Sequence, residues 1–138
     1  MIKTINYVIC VCLTFMVILG QAQDMDAQYP HMTAAEVFEK GTNGQTIVME
    51  GCYTSGFEWS YIFPCDQPDN PSLRAWVTLS PGYNAGSKLK VTENGYRKLL
   101  VLGQLQTGKA YGHMGAYPHQ IIVLRVYSAG PILKFKKK

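Results

Sequence analysis

The 138-residue chain carries 13 Lys and Arg against nine Asp and Glu, a formal charge of +4. That charge sits at the ends: setting aside Lys3, Lys134, Lys136, Lys137 and Lys138 leaves eight basic residues against nine acidic ones, a body near −1. Binding to a phosphate backbone needs clustered Lys and Arg, so the body argues against a nucleic-acid partner, and the length suits one domain.

The chain opens with the grammar of a secretory signal. Lys3 gives a positive start, Tyr7 to Leu19 is an uncharged apolar run, and Gly20-Gln21-Ala22 supplies small residues for cleavage. The run falls short of the roughly 20 residues needed to span a bilayer, which argues against its main alternative, a retained anchor helix. Residues 1–22 are therefore predicted to be a signal peptide. Cys10 and Cys12 lie inside the apolar run and no cysteine stands at the cleavage point after a small residue, which disfavours a lipoprotein. Removal of 22 of the 138 residues leaves 116, expected in the periplasm or secreted, with no stable membrane insertion.

Residues 23–32 read as a flexible polar leader. Thr33-Ala34-Ala35-Glu36 is a capping box, Val37 and Phe38 give a short helix its buried side, and Gly41 ends it. Strands are predicted at Thr46–Tyr53, Glu58–Phe63 and Ala75–Leu79, with a short one at Lys88–Val91. Asp66 to Pro71 is a proline-rich loop, and the last long strands are Arg97–Gln106 and Gln120–Tyr127. The domain is placed at 33–128 and a frayed basic tail at 129–138, whose other reading is contact with anionic lipid or polyanion.

Two cysteines, Cys52 and Cys65, survive cleavage, and an oxidising compartment makes them a disulfide candidate. Geometry sets a condition. A tight turn at Ser55-Gly56 would put Cys52 opposite Trp59 and leave Cys65 six residues further on, so the bond requires a bent or bulged strand.

Gly51, in Val48–Tyr53, is echoed by Gly103, in Leu100–Leu105. Glycine inside a strand marks a sharp bend or a close approach of another segment, and long strands bent in this way suit a small coiled barrel. In the order of its helix, its glycine-interrupted strands and its other strands, Thr33 to Tyr127 resembles the exported bacterial OB-fold proteins. That resemblance implies an all-β, five-stranded Greek-key barrel preceded by one short helix. The Cys52/Cys65 pair and the Tyr111–His119 segment depart from the pattern.

No nucleophile elbow, phosphate loop or His-Glu-x-x-His motif is present, so neither an enzyme nor a cofactor is expected. His113 and His119 stand at a spacing found in some zinc sites and, with Cys52 and Cys65, form a possible Cys₂His₂ set. The cysteine spacing and an oxidising compartment disfavour it. The aromatic residues are the stronger signal. Trp59, Tyr61, Trp76, Tyr111, His113 and Tyr117 are the candidate ligand-binding residues, for a small molecule, sugar or peptide stacked on exposed rings. Alternation puts Trp59, Tyr61 and Phe63 on one face and Ser60 and Ile62 on the other. One of these faces must be core, so the sequence leaves open whether Trp59 and Tyr61 are buried or presented. The competing function is an envelope-associated protein-interaction or structural domain without a small-molecule site.

Overall fold

The structure, a computed structural model, describes residues 27–137. The signal peptide read over 1–22, the first part of the leader and Lys138 lie outside the described residues. One short helix and seven strands form a mixed sheet: β1 (His31–Thr33), α1 (Ala34–Lys40), β2 (Thr46–Ser55), β3 (Ser60–Phe63), β4 (Ala75–Leu79), β5 (Gly95–Tyr111), β6 (Tyr117–Ala129) and β7 (Leu133–Lys134). The all-β class read from the sequence is what the chain adopts.

The helix forms where its cap predicts. Thr33 Oγ1 accepts from the Glu36 amide at 3.3 Å while Glu36 Oε2 accepts from the Thr33 amide at 2.7 Å. Those hydrogen bonds hold the Glu36 carboxyl below its ordinary pKa. Ala34 and Val37 are buried, and Ala34 faces Gly51 of β2. Gly41 ends the helix in extended backbone, φ −66°, so its glycine answers a different need from a left-handed cap. A Cβ there would strike the Val37 carbonyl oxygen and a methyl of Leu105.

Strand pairing runs β2–β3–β4–β6–β5 and returns from β5 to β2, with β4 and β6 parallel and the other four contacts antiparallel. Alternate residues point into one apolar core: Ile47, Met49 and Tyr53 from β2, Ile62 from β3, Ala75 and Val77 from β4, and Leu99, Val101 and Leu105 from β5. Gly51 and Gly103 occupy the missing inward positions of β2 and β5. Each lies inside a strand, as the sequence pattern predicts. On β6 the phase slips between Val123 and Val126, both buried. Gly103 pairs with Val123 and Leu102 with Arg125, so Leu124 is an extra residue, and the bulge lets both valines face inward.

Beyond shifts of two residues at several strand ends, the chain differs from the sequence reading at four points. His31–Thr33 is strand where a loose leader is expected through residue 32. Along β2, β3 covers only Cys52–Ser55, and β1 takes the edge left open at Val48–Glu50. Lys88–Val91 is not a strand: Gly86–Leu89 is a 3₁₀ turn, and Arg97 Nη1 donates to the carbonyls of Ser87 and Lys90, each at 3.1 Å. β5 and β6 run past their predicted ends to Tyr111 and from Tyr117, because an irregularity after Thr107 absorbs Gly108 (φ +87°) while the ladder resumes at Tyr111↔Tyr117.

The fourth difference is the tail. Residues 129–138 are read as a frayed end, yet Leu133 and Lys134 pair with Tyr96 and Gly95, and the Phe135 amide donates to Asn94 O at 3.0 Å. Arg97 anchors the approach to this strand, with Nε and Nη2 donating to Gly130 O at 2.9 and 2.6 Å. A charged donor bonded to several backbone carbonyls fixes the chain far better than the lysine run suggests.

Cys52 and Cys65 form a disulfide, and the condition set by a tight turn falls away. The β2–β3 connection is the wider loop Gly56–Trp59, closed by Ser55↔Ser60, which puts Cys52 opposite Phe63 rather than Trp59. Pro64 then ends the strand and the chain turns Cys65 back onto Cys52.

Candidate functional site

The β3–β4 register pairs Ile62 with Ala75 and Tyr61 with Trp76. Ile62 and Ala75 belong to the core, so Tyr61, Phe63 and Trp76 lie on the opposite face, where they start a second, outer layer of rings. Trp76 packs on Tyr117 at 5.2 Å between centroids, Tyr117 on Tyr61 at 5.6 Å, and Tyr61 on Phe63 at 5.7 Å. Phe63 continues the row to Phe135 at 5.9 Å, and Phe135 lies on Tyr96 at 4.7 Å. Tilted rings at these separations are favourable contacts in their own right. The row runs from the β5–β6 turn to the C-terminal strand.

Arg74 sits over the middle of this layer, at Tyr61. Its guanidinium carbon is 4.8 Å from the Tyr61 ring centroid, its Nη2 donates to Pro68 O at 2.9 Å, and its Nε is buried without a hydrogen-bond partner. Burial pushes the Tyr61 phenol above its ordinary pKa, opposed by Arg74 and helped by Asp69. Tyr117 is raised by burial as well, with Tyr61 adding to it and Arg74 opposing. Both phenols therefore stay protonated at neutral pH and can donate a hydrogen bond.

Between the outer face and the C-terminal strand lies a cleft of about 640 Å³. Tyr61, Phe63, Tyr96 and Phe135 give it apolar walls, while Arg74, Asp69 and Lys136 supply charge at its edges. Cys65 also lines it, so the disulfide ties the wall-forming loop to β2. No protein-family model, curated protein or solved structure matches this chain. What the cleft holds must be read from its own residues.

Of the six residues singled out in the sequence, Tyr61, Trp76 and Tyr117 are brought together in the ring row. Trp59 stands apart at the β2–β3 hairpin tip, folded over Gly56 and half exposed. The Tyr111 hydroxyl donates to Thr107 O at 3.2 Å, and His113 is exposed on the 3₁₀ turn His113–Gly115. That turn still shapes the site, because Gly112 (φ +71°) lies flat on the Trp76 ring, where a Cβ would stand 2.6 Å from its carbons.

The Cys₂His₂ set is not assembled. Its cysteines are bonded to each other, and His119 is held elsewhere, stacked on Phe38 at 4.9 Å with Nδ1 2.9 Å from Thr107 Oγ1. Among the described residues no group of three or more His, Cys, Asp or Glu could hold a metal ion.

Tyr96, Phe135, Arg74, Asp69 and Lys136 are the lining residues that the sequence reading passed over. The available signal was the spacing of Leu133 and Phe135, an alternating apolar pair inside the lysine-rich tail.

His119 gives the fold a pH dependence of known sign. Burial lowers its pKa, so the unfolded chain takes up its proton first as pH falls. Stability is therefore full above the unfolded value near 6.5 and declines below it, through the window down to the depressed folded pKa. Urea midpoints should drop between pH 7.5 and 5.5 by less in His119→Asn than in the parent; equal drops would remove His119 as a source.

Proposed function

We infer that the chain is an exported, non-enzymatic binding module of OB type, which holds a small ring-bearing ligand in the cleft between the outer face of β3 and the C-terminal strand. The observation that carries this reading is the apolar cleft itself, with rings on opposite walls and charged groups at the rim. Ligand pockets combine these features: mostly apolar walls with a few polar groups that fix orientation. The pairing order that returns to β2 supports the OB-type barrel, as do the glycines Gly51 and Gly103 inside the long strands β2 and β5. The disulfide and the signal-like N-terminus support export. Among the described residues no helix is long and apolar enough to cross a membrane.

A sugar ring or the aromatic side chain of a peptide can lie against Tyr61 and Phe135, with a neutral Tyr61 hydroxyl donating and Arg74 donating to an anionic or carbonyl group at the rim. Screening mono- and oligosaccharides, aromatic amino acids and short peptides by NMR should find a ligand that shifts resonances of Tyr61, Tyr96 and Phe135. Tyr61→Ala should weaken that ligand about tenfold, the loss of one ring contact with its hydrogen bond. A ligand that shifts only residues remote from these three would sink the reading.

A further inference from the structure

One end of the sheet carries apolar side chains that the fold does not bury. Phe57, at the tip of the β2–β3 hairpin, is 97% exposed and Trp59 46% exposed, while Ile132 and Leu133 at the C-terminal strand are 40% and 48% exposed. The segments that carry the two groups are linked through the start of β5. Thr54, beside the tip, donates through Oγ1 to Gly95 O at 2.7 Å, and Gly95 pairs with Lys134 on its other side. Thr54 and Lys134 thus lie two strand spacings apart, about 10 Å, on either side of Gly95. Ile132 closes the gap: its Cγ2 is 3.1 Å from where a Gly95 Cβ would be.

Charge gathers at the same end. Lys134, Lys136 and Lys137 line one groove with the turn Thr92–Asn94, where they outnumber its acid, Glu93, while Asp69 stands with Lys136 at the edge of the adjoining cleft. The one ion pair found among the described residues is Lys98 with Glu50, so these three lysines are not committed to carboxylates.

We propose that this end of the molecule docks on the surface of an anionic lipid bilayer. Phe57 and Trp59 enter the boundary between headgroups and acyl chains, and the tail lysines lie over the lipid phosphates. The shape favours a bilayer over a protein. A projecting tip that bears a fully exposed phenylalanine offers no pocket to a partner's side chain, but it can sink into a fluid interface, where indole rings prefer to sit. Lysines on a terminal strand act as point charges that suit mobile phosphates, rather than the planar forks used to recognise fixed carboxylates. Docking is peripheral, and the docking groove shares Phe135 and Lys136 with the neighbouring ring cleft.

The test uses the chain from Gln23 to Lys138, which contains every described element, with its disulfide intact. Vesicles of phosphatidylcholine alone and of phosphatidylcholine with phosphatidylglycerol are sedimented with the protein. Binding is expected to the anionic vesicles, to fall as salt is added, and to move the emission of Trp59, read in a Trp76→Phe background, to shorter wavelength. The Phe57→Ser/Trp59→Ser variant alters exposed side chains only and should keep its near-ultraviolet circular dichroism from the remaining rings. It should bind about tenfold or more weakly, as expected when a buried large apolar side chain is lost. Lys134→Gln/Lys136→Gln/Lys137→Gln should lose the salt dependence. Absence of binding to anionic vesicles, or equal binding by the Ser variant, would overturn the proposal. So would self-association of the parent chain that the Ser variant abolishes without any vesicle binding, since the patch would then belong to a second copy.

Discussion

Replacing Cys52 and Cys65 together by serine is expected to lower the stability of the folded chain by about 3 kcal/mol. The bond closes a loop with a sequence separation of 13, and the entropy it removes from the unfolded chain gives a figure of that size for a loop this short. Domains of this kind are stable by only about 5–15 kcal/mol in total, so the loss is a large fraction of what holds the fold. It also reaches the cleft. The segment from Pro64 to Arg74 has no strand of its own and is fixed by Cys65, by the Arg74 bond to Pro68 O and by the 3₁₀ turn at Pro71–Leu73. Without the bond, the wall formed by Pro68, Asp69 and Arg74 loses its tie to β2. Urea unfolding with and without reductant checks this directly: the parent's midpoint should fall on reduction and the serine variant's should not change. Coincident curves for the reduced and oxidised parent would show that the crosslink carries no stability.

Local signals account for what could be read in the sequence. A capping box is complete within four residues, and Thr33 and Glu36 make the predicted bonds because nothing distant competes for them. Strand alternation likewise separates Ile62 from Tyr61 and Phe63 without reference to the rest of the chain. Alternation alone could not say which face is core, because here both faces are covered. Ile62 meets the inner core and Phe63 is equally buried, under Phe135 and Tyr96. That second layer depends on the tail, and the tail depends on Arg97 reaching Gly130 O from 33 residues away. Such a bond leaves no periodic trace, and the lysines around Phe135 mask its apolar partner Leu133. The extensions of β5 and β6 were hidden in the same way: Gly108, Gly112 and Pro118 read locally as breakers, while the irregular ladder passes around them.

The same distinction governs the outer rings. Tyr61 and Trp76 were legible as neighbours once their strands were placed, but their service as a wall required Tyr96 and Phe135, which come from elements whose position the sequence does not announce. The site is thus a product of topology more than of motif. Its residues arrive from β3, the loop after it, the start of β5 and the C-terminal strand, four segments joined through the disulfide, the Arg97 bonds and the β5–β7 pairing.

Gly103→Ala should cost about 2 kcal/mol, within the range for forcing an extra carbon into a packed core, even though replacing glycine by alanine restricts the unfolded chain and by itself favours folding by about 0.4–1 kcal/mol. The added Cβ would stand 2.7 Å from Cγ2 of Ile121 and 3.2 Å from the Ile122 carbonyl oxygen. Ile121 is completely buried and its branch at Cβ leaves one comfortable rotamer, so it cannot yield, and the carbonyl belongs to the β5–β6 ladder. Gly51→Ala meets softer neighbours, the outer atoms of the Ile62 side chain at 3.0 and 3.2 Å and the Ala34 methyl at 3.1 Å, and should cost about half as much. Gly130→Ala finds only ordinary contacts with Lys98, from 3.6 Å outward, and should fall within about 0.5 kcal/mol of the parent. The order of Gly103 and Gly51, both inside strands, is the informative quantity, since a general preference for glycine in strands would not separate them, and Gly130, just outside β6, is the control. Thermal and urea unfolding of the three variants gives the comparison. Should Gly103→Ala prove as mild as Gly130→Ala, then β5 and β6 do not approach each other closely at that point.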